Sequence, residues 1–396
     1  MVNLHIIHDA IIIVGVFLII IPGHYCSDVP PEAKMTAIEM ILYHGYPVQV
    51  FRTRTTDGYI LDLHRIPFGR NGCPSGQMYR PVIFLQHGLL GSSADWVGNF
   101  PNQSFVKSEQ SSDWDGIARF DLDASFDLVL NVTKESSLYY VGFSQGTLIM
   151  FAKLSQDPNF ASKLRKFFAL GPVVTVANVK GFFRLLATKL FPSAKLMRRF
   201  FGTKYFTFNS KLARIICKNV YLNPLCNDII FHIAGPRSDQ FNKSRLLVYI
   251  GGEGGTSVMN MIHWMQMVNS GKMQAYDYES VELNQLHYGR DSPPVYNISS
   301  INVPIYLYWG KNDWLATASD VTNSLLSVLP SSSIRLKREF ENYNHLDFIW
   351  GLRAAAEIYQ PIISIIQNDM RTRVQDKKSF ANLVLTQPMN YARSSF

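Results

Sequence analysis

The sequence predicts an α/β fold with a mostly parallel sheet and an inserted helical cap. Three observations predict it. The apolar run Leu138–Phe143 leads into Gly142-Phe143-Ser144-Gln145-Gly146, and Leu148–Leu154 continues as a helix-like segment. Two further strand-like runs, Pro304–Gly310 and Ile334–Phe340, are each followed by a side chain suited to proton chemistry. Between these halves lies a long interval in which basic residues interleave with aromatics on short helix-like segments.

The elements follow in chain order. Pro81–Gln86 reads as a buried strand and His87–Gly91 as the loop after it. Asp113–Leu122 opens a helix, Leu138–Phe143 is the next strand, and the Gly-x-Ser-x-Gly pattern closes it. A strand that turns sharply into a helix at such a pattern exposes a serine hydroxyl above a parallel sheet. Gly142 and Gly146 are required there because the turn brings backbones together where a Cβ would clash. Ile334–Phe340 carries Arg335, Lys337 and Arg338 and therefore reads as an edge strand.

A serine hydroxyl attacks carbonyls only when a base takes its proton and an acid orients that base. Ser144, Asp313 and His345 follow three successive strands in the order Ser, acid, His that such folds use. Asp320 and Asp347 are weaker acid candidates, Asp320 because it falls in the helix after the loop. Developing negative charge on the attacked oxygen needs two backbone N–H donors. Gln145, after the nucleophile, and Leu89, in the loop after the earlier strand, are the expected pair. His87 lies on that side of the site and is expected to be structural.

Together these stretches resemble the acid lipase family, the gastric and lysosomal lipases and their insect relatives. The resemblance runs through Met40–Pro47, Thr56–Leu61, Leu85–Ser93, the Ser144 turn, Gly255–Ser257, Ile262-His263-Trp264, Gln274–Asp277, Asn312–Ala316 and Tyr343–Gly351. It implies an α/β-hydrolase core, a cap with a lid, and hydrolysis of acylglycerols or steryl esters without a cofactor or metal. It assigns Ser144, Asp313 and His345 as triad, with Leu89 and Gln145 as oxyanion donors. It also implies a Cys217–Cys226 disulfide in the cap. The expected division is a signal peptide at 1–23, core at 31–170, cap and lid at 171–295, core again at 296–370, and a basic, disordered tail at 371–396.

Four departures from the family stand out. Phe143 occupies the position where the family usually has His. Tyr249–Gly254 differs from the family's sequence and is expected to be a tolerant cap loop. The interval from Asn102 to Ser112 lacks the strand and Arg-containing loop that the family places there, and a parallel crossover needs a strand plus a helix. Loss of an interior strand should leave a gap in the sheet or force strands to re-pair. The last departure is the tail. The shortened interval supports a rival reading, a non-catalytic lipid-binding relative or truncated isoform with an impaired fold.

At 396 residues, 47% hydrophobic and 17% charged, the chain can bury a substantial core. Ala10–Pro22 has the length of a signal-peptide apolar region and is short for a membrane span. Secretion would permit disulfides, among Cys26, Cys73, Cys217 and Cys226, and glycans at the sequons Asn102, Asn131, Asn242 and Asn297. No Cys/His cluster has metal-ligand spacing. Residues 158–227 hold thirteen Lys and Arg and no Asp or Glu, in a chain of net charge +8. Aromatics interleave with those cations, which suits a lipid–water interface. The hydrolase motifs and secretory route exclude nucleic acid as the partner. The expected activity is that of a serine esterase or lipase acting on neutral lipids through an acyl-enzyme; oligomeric state is not expressed in the sequence.

Overall fold

The computed structural model describes residues 29–72, 80–99, 113–206, 217, 223–251 and 254–386. The signal-peptide segment, Cys26, Cys73 and Asn102 lie outside them.

Five parallel strands form the central sheet. They are β3 (Ile83–Gln86), β4 (Leu138–Phe143), β5 (Leu164–Leu170), β8 (Ile305–Gly310) and β9 (Ile334–Phe340), in the spatial order β3-β4-β5-β8-β9. The hairpin β1 (Gln49–Arg54) and β2 (Ile60–Arg65) forms a separate antiparallel pair, and β6 (Tyr205–Phe206) pairs with β7 (Thr256–Ser257) in the cap. Strand β4 is buried along its whole length, as expected for a strand covered on both faces. Its residues alternate between two cores: Leu138 and Tyr140 pack on one side with Phe167, Ile305 and Leu307, and Tyr139, Val141 and Phe143 on the other with Phe168, Leu170 and Tyr308. Strand β9 is an edge, its Arg335, Lys337 and Glu339 exposed.

Helices supply the crossovers. Helix α1 (Ala37–Tyr43) precedes β1 and begins with a capping box, in which Thr36 and Glu39 satisfy each other's backbone N–H groups. A continuous helical run from Trp114 through α2 (Leu122–Thr133) links β3 to β4, and α3 (Gln145–Gln156) links β4 to β5. Residues 171–295, the expected cap, contribute α4 (Gly181–Leu185), α5 (Ala194–Phe201), α6 (Asn223–Ala234), α7 (Val258–Ser270) and α8 (Val281–Tyr288). Helix α9 (Gln360–Thr386) ends the described chain. The Cys217–Cys226 disulfide is formed, with Cα atoms 5.6 Å apart.

Three expectations need correction. The shortened interval leaves no gap within the five-stranded sheet, because β3 pairs directly with β4 from Ile83–Tyr139 to Gln86–Gly142. The β1–β2 hairpin forms a sheet of its own, and the strands that carry the site stay paired in the order β3-β4-β5-β8-β9. The tail is not disordered from Arg371: α9 continues to Thr386. No Gly or Pro interrupts residues 362–386, and Asp369 ties the helix to the sheet by accepting from Tyr139 Oη (2.6 Å) and Lys166 Nζ (2.9 Å). Tyr249–Gly254 is not a loose cap loop. Tyr249 stacks on Trp350 at 4.6 Å, and a Cβ at Gly254 would lie 2.1 Å from the Leu90 carbonyl. Tyr249 and Gly254 are therefore both closely packed, Gly254 against the loop after β3.

Candidate active site

The nucleophile turn is built by sterics. Ser144 sits at φ +53°, ψ −117°, a backbone conformation unfavourable for a residue with a Cβ. The flanking glycines are what permit it. A Cβ at Gly142 would lie 2.7 Å from the Gly146 carbonyl oxygen, and one at Gly146 would lie 2.5 Å from the Gln86 carbonyl oxygen. Only glycine allows strand β3, strand β4 and helix α3 to approach this closely.

Asp313 and His345, the expected acid and base, lie on loops after β8 and β9. His345 Nε2 lies 2.8 Å from Ser144 Oγ, and its Nδ1 lies 2.7 Å from Asp313 Oδ2. All three residues are buried. The other carboxylate oxygen of Asp313 accepts the N–H groups of Leu315 and Ala316, each at 2.8 Å. One acid thus caps its own loop and orients the histidine. The ring stays against Ser144 because Gly171, at φ +54°, leaves room: a Cβ there would lie 3.3 Å from His345 Cε1. Phe143 fills the place of the family's usual His and packs its ring 4.9 Å from that of His345. The departure therefore adds an apolar wall and no competing base.

On the other side of Ser144, the loop after β3 comes so close that a Cβ at Gly88 would lie 3.0 Å from Ser144 Cβ. Leu89 follows Gly88 in that loop. Gln145 is the first residue of α3, where backbone N–H groups have no partner within the helix. Both N–H groups belong to segments that flank Ser144 Oγ. His87 is buried and its Nδ1 meets the Gly88 carbonyl at 2.9 Å, a loop-bracing role. Asp320 accepts from Thr175, Asn178 and Thr317. Asp347 accepts from Ser238 Oγ and the Asn344 N–H. Neither carboxylate pairs with His345 in these contacts.

Two parts of the site were missed by sequence reasoning. The first is the carbonyl of Ala234, at the end of cap helix α6, which accepts the N–H of Trp314 (3.2 Å) and of His345 (3.1 Å). One cap carbonyl thus holds both the acid loop and the base loop. Gly235 follows at φ +126°, and a Cβ there would meet the Asn312 carbonyl oxygen at 2.1 Å. The only sequence signal is the Ala-Gly pair after an apolar helix. The second is a set of buried polar side chains on α7 that reach Gln145, described below. Among the described residues, no group of three His, Cys, Asp or Glu side chains is arranged to hold a metal ion.

Two family models match the chain. A partial alpha/beta-hydrolase lipase region covers residues 37–100, and the alpha/beta hydrolase fold covers residues 81–352. Lipase lipl-1 of Caenorhabditis elegans is 39% identical over 388 residues, covering 88% of this chain and 94% of its own. Human gastric triacylglycerol lipase is 39% identical over 378 residues, covering 86% and 93%. The chain belongs to the acid lipase family. It is an ester-hydrolysing enzyme of the lipase type, with an α/β-hydrolase fold and a lipid as its substrate. Mouse lipase member K is 36% identical, with the same coverage as the human gastric enzyme. A solved structure of a putative lipase from Sulfolobus solfataricus has the same fold, with a TM-score of 0.54 at 12% identity, covering 86% of this chain and 98% of its own. Membership in a family with gastric lipases, together with the disulfide, assigns the chain to the secretory pathway. No helix among the described residues is long and apolar enough to cross a membrane. The rival reading of a non-catalytic relative is not favoured.

Proposed function

We propose that this acid lipase cleaves acylglycerols or steryl esters with Ser144 as nucleophile, His345 as general base and acid, and Asp313 as its orienting carboxylate. The observation that carries the reading is the His345 ring, whose two nitrogens lie 2.8 Å from Ser144 Oγ and 2.7 Å from Asp313 Oδ2 inside a buried site. His345 Nε2 takes the hydroxyl proton as Oγ bonds to the acyl carbon. The carbonyl π electrons move to oxygen, and the Leu89 and Gln145 N–H groups receive that charge. Collapse breaks the bond to the leaving alcohol, which takes the proton from His345. Water then attacks the acyl-enzyme by the same route and releases the fatty acid and Ser144. Asp313 holds the imidazolium in place through its contact with Nδ1.

The cap offers the substrate a surface. Phe182, Leu185, Leu190, Phe200, Phe201 and Tyr205 are exposed on the helical segments Gly181–Leu190 and Ala194–Phe201 and the strand after them. Arg184, Lys189, Lys195, Arg199 and Lys204 lie between them in sequence, and Lys180 just before. Apolar side chains that enter the interface, with cations that meet anionic headgroups, suit docking at a lipid–water boundary. In this reading residues 171–295 are the cap and lid, and 31–170 with 296–370 form the core. The signal segment 1–23 directs the chain to secretion or to the lysosome. Asn131 and Asn297 are exposed and Asn242 half-buried, so these three, with Asn102, are the proposed glycan sites.

The test is hydrolysis of short- and long-chain p-nitrophenyl esters by purified, secreted protein, alongside Ser144→Ala and labelling by a fluorophosphonate. Labelling and turnover that both vanish in Ser144→Ala support the assignment. Turnover that survives the substitution overturns it.

A further inference from the structure

The cap helix α7 carries three buried polar residues in one turn and a half: Asn260, His263 and Trp264. None belongs to the triad, and Ile262-His263-Trp264 is one of the family-like motifs that the mechanism above does not use. Their contacts converge on the residue after the nucleophile. Gln145 Oε1 accepts from Trp264 Nε1 at 2.6 Å and from Asn260 Nδ2 at 2.9 Å. Asn260 Nδ2 also reaches Thr256 Oγ1 (2.7 Å), while its Oδ1 accepts the Trp114 N–H at 3.0 Å. His263 then secures Trp114: the rings stack with centroids 4.2 Å apart. Its Nδ1 meets Asp113 Oδ2 at 3.0 Å and its Nε2 meets the Gln274 carbonyl at 2.9 Å. Both ring nitrogens are thus engaged, one by a carboxylate and one by a backbone carbonyl.

From this geometry we infer that Asn260 and Trp264 form a clamp that positions Gln145, and that His263 with Asp113 anchors the clamp to the segment entering α2. The inference rests on the proposed role of the Gln145 N–H as an oxyanion donor. A side chain held by two buried donors cannot rotate without leaving both unsatisfied. Fixing the Gln145 side chain therefore fixes the first turn of α3, and with it the direction of the backbone N–H. Donors of this kind act only if they already point to where the charge develops. The clamp thereby ties the helical run that begins at Trp114 to α7. It also makes α7 a fixed wall of the site, distinct from any part of the cap that moves.

Asn260, Trp264 and Gln145 are positioning residues, so their variants should change kcat more than KM. Trp264→Phe, which keeps the ring and removes the N–H, should lower kcat for a short soluble ester about tenfold. KM should stay within about twofold, and the fluorophosphonate should still label the variant stoichiometrically. In a Gln145→Leu background, Trp264→Phe should cost almost nothing further, because its acceptor is gone. Asn260→Ala provides a second route, with thermal unfolding followed to confirm that each variant folds. Unchanged kcat in folded Trp264→Phe and Asn260→Ala, or losses that multiply in the double variant, would overturn the clamp. Wild-type protein that neither labels nor hydrolyses esters would instead overturn the assignment of Ser144, and the clamp with it.

Discussion

The proposed nucleophile and its proposed acid–base partners are held in contrasting ways. Ser144 is positioned from within the sheet, by backbones that approach so closely at Gly142 and Gly146 that no side chain fits. Asp313 and His345 lie on loops that the cap pins from outside, through the Ala234 carbonyl and the tight passage at Gly235. The nucleophile is thus a local consequence of strand, turn and helix. The geometry of its partners depends on an insertion far away in sequence. A core that lost its cap would keep a strained serine and lose the aim of the base. The shortened interval before Asp113 falls on neither support, since β3 still pairs with β4 and the loops after β8 and β9 are untouched.

Several substitutions would break or sharpen this contrast. The largest effect is expected inside the sheet. Gly146→Val should abolish ester hydrolysis and lower the thermal midpoint, because its side chain would collide with the Gln86 backbone and could not be accommodated by rotamer change. Activity and folding near those of wild type would show that the turn is not sterically determined. Asp313→Asn should come next, with kcat reduced about 10⁴-fold while fluorophosphonate labelling slows but persists, since the base loses its orienting charge. Gly235→Ala tests the cap's part. Crowding of the Asn312 carbonyl should shift both loops and reduce kcat about 100-fold, with a modest change in melting temperature. A loss confined to stability, with kcat intact in the folded fraction, would mean that the cap merely covers the site.

A smaller effect should appear in the pH dependence of stability. Burial pushes the Asp347 carboxyl up to about 6 from its ordinary 3.8, despite the hydrogen bonds from Asn344 and Ser238. Burial likewise pushes Asp95, under the loop after β3, up to about 7. A carboxyl whose pKa is raised by folding costs nothing below 3.8 and destabilises progressively as pH rises towards the folded value. Asp369 acts in the opposite direction. Burial works against its charge, but hydrogen bonds from Tyr139, Lys166 and Arg373 prevail and hold it at about 2. Its contribution is complete above 3.8 and is lost as pH falls towards 2. The thermal midpoint should therefore be higher near pH 4 than near pH 7, and Asp347→Asn should narrow that difference. An unchanged difference in the variant would remove Asp347 from the explanation. Least of all should Phe200→Ser with Phe201→Ser affect a soluble ester. It should slow hydrolysis of emulsified triacylglycerol several-fold if the exposed cap face docks at the interface.

Much of this site was legible in the sequence because its determinants are local. The buried run Leu138–Phe143 and the glycines around Ser144 specify a strand and a turn that no other arrangement satisfies. Asp313 and His345 were legible by order, each just after a strand. The edge character of β9 was written in Arg335, Lys337 and Arg338. Where reading along the chain failed, the deciding contact was distant. The sheet did not open at the shortened interval because β3 found β4 directly, a pairing that composition does not express. The tail from Arg371 looked like a solvated appendage because its partners, Tyr139 and Lys166 on two sheet strands, are more than 200 residues away.

The sequence by itself determined the fold class, the order of the candidate triad and the chemistry it suits, since each rests on short-range sterics and on residue type. Only the tertiary structure decided which cap groups complete the site. Ala234 offers nothing but a backbone carbonyl, and Asn260, His263 and Trp264 are an ordinary turn of helix until Gln145 and Asp113 face them. Hydrogen bonds between segments over 100 residues apart leave no periodicity to read, and a buried donor reveals its acceptor only when the chain is folded around both.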